Sequence, residues 1–508
     1  MPSVADIEPL PVRNSAQRGE CSQIELTPDT PSFVLSTEHR SYRHQFSNIY
    51  FARLVLLKSI VEERVRERWR GLRGSPPLVP RVLDVVTSQV CFIVGTVYMN
   101  MPQKPNVLED VGRDRSLPEP PAREKYLSSD DEIVLEDDSG RIQLVGEALM
   151  RVIDEGGRGI QTGWGNVLVS GVIMAALGRE TSSGAFEVKD VCFPGMAPML
   201  YKNPGSSESM EVDTNSRDEW VAFISGLEID LETIRDLRVQ LLVEYLAGEG
   251  GAQEDDVLQI TRLIIAGNSL APVSIASEAK PSVAENSSRL KRFGQETSNF
   301  SPAPTNALVE FLHDIASVMP VHLLPGAKDP SSTLLPQQAL PRGMFGDAKS
   351  FQNFASETNP VWLGLRSTSS ETGQSNFQRL LYVHSGQSVE DMYKYVPSPP
   401  TTRLDLACAT LQWRHTAPTA PDTLWCYPYL NADPFVMKQT PDLYIVGCQP
   451  EFATRLVSSN DFGDDSEVER RCRVVLVPSF KDSGCLVLVN LRNLEVKCVE
   501  FGSLGQHQ

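Results

Sequence analysis

The chain has 508 residues, 41% of them hydrophobic and 22% charged, with a formal net charge of −18. That length exceeds one hydrophobic core and predicts two to four domains of an ordinary globular protein. No apolar run reaches the roughly 18 residues needed to span a bilayer, and a broad phosphate-binding surface needs clustered Lys and Arg that so acidic a chain lacks, so any work on DNA is expected to run mainly through another chain.

In chain order, residues 1–35 are rich in Pro, Ser, Glu and Thr and are expected to form a disordered tail. Residues 1–29 lack the basic and apolar regions of a signal peptide, which points to a cytosolic or nuclear protein. Residues 36–80 read as a helical segment, one long helix or a helical hairpin. Phe46, Tyr50, Leu54, Leu57, Val61, Val65 and Trp69 recur at the three-and-four spacing of one helical face, and Glu62 and Arg66 are placed for an i,i+4 ion pair. Packing within its own domain and binding a partner both fit such a face.

Residues 81–200 change to strands. The stretch 85–99 is rich in β-formers, and 132–144 predicts two strands around Asp137-Asp138-Ser139-Gly140, a strong hairpin turn. Further strands are expected over 166–177 and 185–191, with a helix over 146–153. About five strands with one interposed helix fit a small Greek-key barrel of the OB type. Phe92, Tyr98, Trp164 and Phe186 are its candidate aromatics for stacking single-stranded bases, but no basic stripe accompanies them. A barrel used for packing and a single-strand binder are thus the two readings.

Residues 203–218 form a polar linker (201–219 in the domain division). A Pro, Ser and Ala-rich insert, expected to be disordered, covers about 272–306. Its Arg289-Leu290-Lys291-Arg292 is either an import signal or a solvated patch. From 220 onward apolar runs at 220–225, 262–266, 319–324, 380–383, 443–446, 473–477 and 485–490 alternate with helical stretches such as 231–246 and 308–317. This is the pattern of a buried α/β sheet whose strand ends carry the functional loops.

Nine cysteines, at 21, 91, 192, 408, 426, 448, 472, 485 and 498, show no Cys-x-x-Cys spacing. The odd number and apolar neighbours predict reduced, buried thiols and no structural zinc site.

Three loops follow apolar runs and turn at glycine: Ile224-Ser225-Gly226-Leu227-Glu228, Ile265-Ala266-Gly267-Asn268-Ser269 and Leu324-Pro325-Gly326-Ala327-Lys328-Asp329. They resemble the skeleton of a dinuclear metallophosphoesterase site, which holds two divalent ions with carboxylates and imidazoles to activate water. Here those ligands are missing, and an ammonium at Lys328 would repel a metal.

Wider segments carry a more specific resemblance: Gln45-Phe46-Ser47-Asn48-Ile49-Tyr50, Gly95-Thr96-Val97-Tyr98-Met99, Lys104-Pro105-Asn106-Val107-Leu108-Glu109, the stretches 262–270, 320–330 and 335–345, His384-Ser385-Gly386-Gln387, the stretch 417–428 and Asp433-Pro434-Phe435. Over about residues 40–500 the chain resembles the small, second subunits of DNA polymerase delta. The resemblance implies an α+β and α/β multidomain protein: an N-terminal helical segment, an OB-fold barrel, and a calcineurin-like phosphoesterase-type two-sheet αββα domain (220–508) without metal ligands. It implies a nuclear, non-catalytic subunit without cofactors, active only within the holoenzyme. Its partners would be the C-terminal metal-binding region of the catalytic subunit, the third, clamp-binding subunit, and in some relatives polymerase zeta.

Position by position, the Asp-x-His motif falls at Gly226 and Glu228. Gly-Asp falls at Asn268, Gly-Asn-His-Asp at Ala327, Lys328 and Asp329, and Gly-His-x-His at Cys448 and Pro450. His384 alone could survive as a ligand. Alternatives are the equivalent subunit of polymerase alpha or epsilon, a single-strand-binding OB protein, and a rearranged hydrolase using Glu228, Asp329 and His384. Trp425 and Tyr427 are candidate partner contacts, with packing inside their own domain as the other reading.

Overall fold

The computed structural model describes residues 18–19, 21–28, 30–36, 38, 40–72, 76–105, 123–149, 164–199, 218–231, 236–248, 257–272, 301–368, 375–463 and 469–502. Most of the 272–306 insert, with Arg289 and Arg292, and the linker at 203–217 lie outside these residues. Among the described residues no helix is long and apolar enough to cross a membrane.

The chain enters through β1 (Gln23–Ile24), which adds antiparallel to the edge of a sheet far along the sequence, Gln23 facing Arg366. This corrects the expected tail, because residues 21–28 and 30–35 are placed. Edge addition uses backbone groups, so a polar, proline-bearing segment can do it without an apolar pattern. Glu25 N–H donates to the Gly364 carbonyl at 2.9 Å. Next to this ladder, Ser22 donates from its backbone N–H and its hydroxyl to Glu219, while Arg262 reaches the Ser22 carbonyl. Gly364 permits the approach, since a Cβ there would stand 2.0 Å from the Glu25 carbonyl oxygen. Gly364→Ala is therefore expected to release β1 at a cost of about 1–3 kcal/mol, read as faster proteolytic loss of the N-terminal residues with the rest of the fold retained.

One helix follows, α1 (Ser47–Arg68), so there is no helical hairpin in 47–68. It buries Ile49, Leu54, Leu57, Val61 and Val65, with Trp69 just beyond its end. Glu62 and Arg66 do pair, at 3.6 Å. Phe46, assigned to the same face, is instead 47% exposed, because the helix starts only at Ser47.

Five strands close a barrel: β2 (Val90–Asn100), β3 (Glu132–Glu136), β4 (Arg141–Val145), β5 (Ile173–Glu180) and β6 (Phe186–Cys192), in the order β2-β3-β4-β6-β5. β4 and β6 pair in parallel and every other pair is antiparallel, the OB arrangement. The predicted hairpin forms because the Asp137 carboxylate accepts the Ser139 and Gly140 N–H groups. Of the helix expected over 146–153, the described part is a single 3-10 turn, Glu147–Leu149.

The second half holds two six-stranded sheets. One runs β10 (Phe354–Ser356), β9 (Val321–Leu324), β8 (Ile260–Ala266), β7 (Trp220–Ile224), β16 (Cys485–Asn490), β17 (Val496–Glu500). The other runs β1, β11 (Val361–Thr368), β12 (Ser375–His384), β13 (Leu443–Gln449), β15 (Arg471–Pro478), β14 (Ala453–Ser458). Val221, Phe223, Ile264 and Val487 from the first sheet pack against Leu381, Val383, Ile445 and Val475 from the second. Alternate residues of the same strands, Ala222, Ile224, Leu263 and Ile265, face outward onto α2 (Leu237–Ala247) and α3 (Ala303–Val318). Burial on both faces explains the unbroken apolar runs. The first turn of α3 also corrects the insert, whose residues 303–306 are helical. The outer face of the second sheet meets α4 (Gln387–Tyr393), α5 (Arg403–Trp413) and the barrel itself in one continuous core.

Candidate functional site

β7, β8 and β9 are adjacent and parallel, so their C-terminal ends and the three glycine loops share one edge. The parallel strands β12 and β13 bring His384–Gln387 and the loop after Val446 to the facing edge. The loops are tied by their backbones. Gly226 N–H donates to the Gly267 carbonyl and Glu228 N–H to the Asn268 carbonyl, both at 2.9 Å. Lys328 N–H donates to the Asn268 side-chain oxygen at 2.9 Å, and Cys448 N–H to the Ser225 hydroxyl at 2.8 Å. Gly267 is dictated by crowding: its φ is +92°, and a Cβ would stand 2.3 Å from Ser385 Cβ. Among the described residues six non-glycines have left-handed φ, and three of them, Glu228, Asn268 and Cys448, are in these loops. Each such conformation costs roughly 1–2 kcal/mol and persists only where the surroundings over-determine it.

The side chains at this edge form closed pairs. The Lys328 ammonium meets the Glu228 carboxylate. Asp329 is buried, and its two oxygens accept Leu270 N–H at 2.8 Å and Gly326 N–H at 2.7 Å. Burial nevertheless outweighs those bonds and holds the Asp329 carboxyl above the usual range. The Cys448 thiol is pushed up to about 12 by burial, then by the charges of Asp329 and Glu228. Ala327 and Pro450 are exposed at the rim.

His384 lies apart from this cluster. It follows Tyr382 on the outer face of β12, its ring 5.9 Å from Tyr382 and 5.5 Å from Tyr444. Its Nδ1 accepts Gly386 N–H at 3.1 Å. The structure thus brings Gly226, Glu228, Asn268, Lys328, Asp329 and Cys448 together and leaves the His384 ring on the outer face of β12, beside Tyr382 and Tyr444.

The barrel aromatics offer no open stacking platform. Phe186 is fully buried, Phe92 packs on Trp69 at 5.4 Å, Trp164 packs on Phe193 at 5.2 Å, and Tyr98 is covered by Lys104.

Residues 45–191 match the family described as DNA polymerase delta subunit OB-fold domain, and residues 221–454 match the B-subunit family of DNA polymerases alpha and epsilon. The chain is 33% identical to the DNA polymerase delta small subunit of Arabidopsis thaliana over 90% of this chain and 91% of that one. It is 32% identical to that of Oryza sativa subsp. japonica over 90% and 93%. To the DNA polymerase delta small subunit of Saccharomyces cerevisiae the identity is 31%, over 92% of each chain. The chain belongs to the family of DNA polymerase delta small subunits.

In this delta small subunit a second feature stands out, which the sequence reading did not assign. Arg53, on the apolar face of α1, is fully buried. Its Nε donates to Asp433 at 2.8 Å, and its Nη atoms donate to the carbonyls of Gly171, Pro418 and Ala420 at 3.2, 2.7 and 2.7 Å. His415 Nε2 meets the same Asp433 oxygen at 2.7 Å. Burial raises the Asp433 carboxyl, but His415 and Arg53 outweigh it and hold the group far below its usual range. The sequence signal was a lone guanidinium four residues from both Ile49 and Leu57.

The two candidate contact residues part company. Trp425 is 62% exposed, while its carbonyl accepts Leu335 N–H at 3.0 Å. Tyr427, two residues on, is buried. It accepts Ser41 N–H at 2.6 Å and packs edge-on against Tyr42 and Tyr429, the arrangement of a residue packed within its own domain. With Leu35, Arg40, Tyr42, Pro330 and Leu334 it lines a groove of about 190 Å³.

Proposed function

We propose that this delta small subunit is a non-catalytic scaffold that joins the C-terminal region of the catalytic subunit to the third subunit, acts in the nucleus, and uses a phosphoesterase-like half whose chemistry is gone. On this reading the OB domain spans about 81–200 and the inactive half 220–508. The observation that carries it is the ion pair between Lys328 and Glu228. A dinuclear centre needs several anionic or imidazole donors free to face the ions. Here one loop carboxylate is neutralised by an ammonium, the other is spent on backbone N–H groups, and His384 lies in another layer. These donors do not fit two divalent ions. The strained glycine loops remain because they splice the two sheets together at this edge.

Trp425 is the partner anchor in this proposal. A large aromatic held out from a fixed backbone loses little conformational freedom on binding and has the character of an interface hot spot. The purified chain is expected to co-purify with the catalytic subunit's C-terminal region and the third subunit. Trp425→Ala should weaken one of these associations by roughly tenfold or more, as expected for a hot-spot residue, with an unchanged melting temperature. No association of the wild-type chain at moderate salt would sink the proposal. So would manganese-dependent phosphodiester hydrolysis that disappears in Glu228→Ala.

A further inference from the structure

Two of the nine cysteines stand together on β16 and the neighbouring edge strand β17. β16 and β17 pair antiparallel with Cys485 directly opposite Glu500 and Val487 opposite Cys498. By the two-residue period of strands, Cys485, Cys498 and Glu500 therefore project from one face. One ligand atom from each, two sulfurs and a carboxylate oxygen, all lie within 4.8 Å of one another. No other such group of three His, Cys, Asp or Glu occurs among the described residues. Both thiols are free.

We propose that Cys485, Cys498 and Glu500 form a binding site for one thiophilic divalent cation of the zinc class. Burial grades across the site, with Cys485 buried, Cys498 half-buried and Glu500 exposed. That gives an apolar floor and an open mouth. Tetrahedral zinc, with bonds of about 2.0–2.3 Å, sets its donors roughly 3.3–3.8 Å apart. A rotamer change of the exposed Glu500 closes the remaining gap. Three protein donors with water in the fourth position is a familiar zinc arrangement. Calcium and magnesium are disfavoured, because they need several oxygen donors and only one is present.

A divalent cation binds the thiolate form of cysteine, so its arrival displaces the thiol protons and affinity should rise with pH. Glu500 makes no side-chain hydrogen bond or ion pair among the described residues, which leaves its carboxylate open to a metal. Because β17 is an edge strand, a bound ion would clip it to β16 and stabilise the folded chain by linkage.

The test uses the full-length chain, reduced with a non-thiol reductant, stripped with a chelator and titrated with zinc chloride. The expected result is one equivalent bound, a raised melting temperature, and a thiolate-to-metal charge-transfer band on cobalt substitution. Affinity should fall by about tenfold or more in both Cys498→Ser and Glu500→Gln, in line with the loss of a ligating or orienting group. A measurement free of variants is zinc protection of Cys485 and Cys498 from alkylation, read by mass spectrometry against Cys21 as the internal control. Wild-type stoichiometry and affinity in Cys498→Ser, no cobalt–thiolate band, no protection from alkylation, or a Cys485–Cys498 disulfide that survives reduction would each overturn the assignment.

Discussion

Replacing Arg53 by alanine is expected to destabilise the chain by roughly 3–5 kcal/mol, the range for breaking a buried, hydrogen-bonded ion pair from one side. The loss exceeds that of an ordinary contact because Asp433 would stay buried and charged with only His415 and the Phe435 N–H beside it. Three carbonyls, of Gly171, Pro418 and Ala420, would lose their donor in a space closed to water. Arg53→Lys should recover only part of the loss, since an ammonium cannot span the carboxylate and all three carbonyls. A double variant, Arg53→Met with Asp433→Leu, should be more stable than Arg53→Ala, because both charges leave together. Urea midpoints of the four proteins measure this. A cost below about 1 kcal/mol for Arg53→Ala, the level of a surface ion pair, would mean that the guanidinium does not tie the barrel to the 418–433 segment.

The second large effect is loss of stability in acid, centred on His384. Burial alone pushes its imidazole down to about 3, while the unfolded chain takes up the same proton near pH 6.5. Between those values the unfolded state binds more protons, so stability rises with pH across the window. The contribution is complete above about pH 6.5 and is lost progressively as pH falls toward 3. Over the whole window it is roughly 3–6 kcal/mol, of which about 2 kcal/mol is gone by pH 5. His415 acts with the same sign, held down to about 4 by burial and then by Arg53. His384→Asn keeps an acceptor for Gly386 N–H and removes the titration, so its urea midpoint should fall less steeply between pH 7.5 and 5. Equal slopes for the two proteins would refute the assignment.

What could be read from the sequence was what local chemistry decides. The hairpin at Asp137–Gly140 carries its own cause in one carboxylate, and the apolar runs mark strands because burial on both faces leaves no polar alternation. The glycine loops were legible as strand ends for the same reason. Pairings across long separations were not. Arg53 finds Asp433 across 380 positions, and Lys328 finds Glu228 across 100. β1 was hidden because it brings only backbone groups to Gly364, and β17 because its residues are only partly buried. Trp425 and Tyr427 look equivalent in the sequence. Tyr42, from the segment before α1, covers one and not the other.

The shared core of barrel and second sheet has a practical consequence for anyone dividing this protein. Val97, Leu135 and Phe193 belong to the same buried cluster as Tyr382, Leu411 and Tyr444. A fragment cut near residue 200 would therefore bare an apolar surface on each piece. Such halves are expected to bind unrelated proteins indiscriminately, and a pull-down with them would report stickiness in place of recognition. With one buried core common to the barrel and the second sheet, a map of the interfaces has to be drawn with point substitutions on the intact molecule.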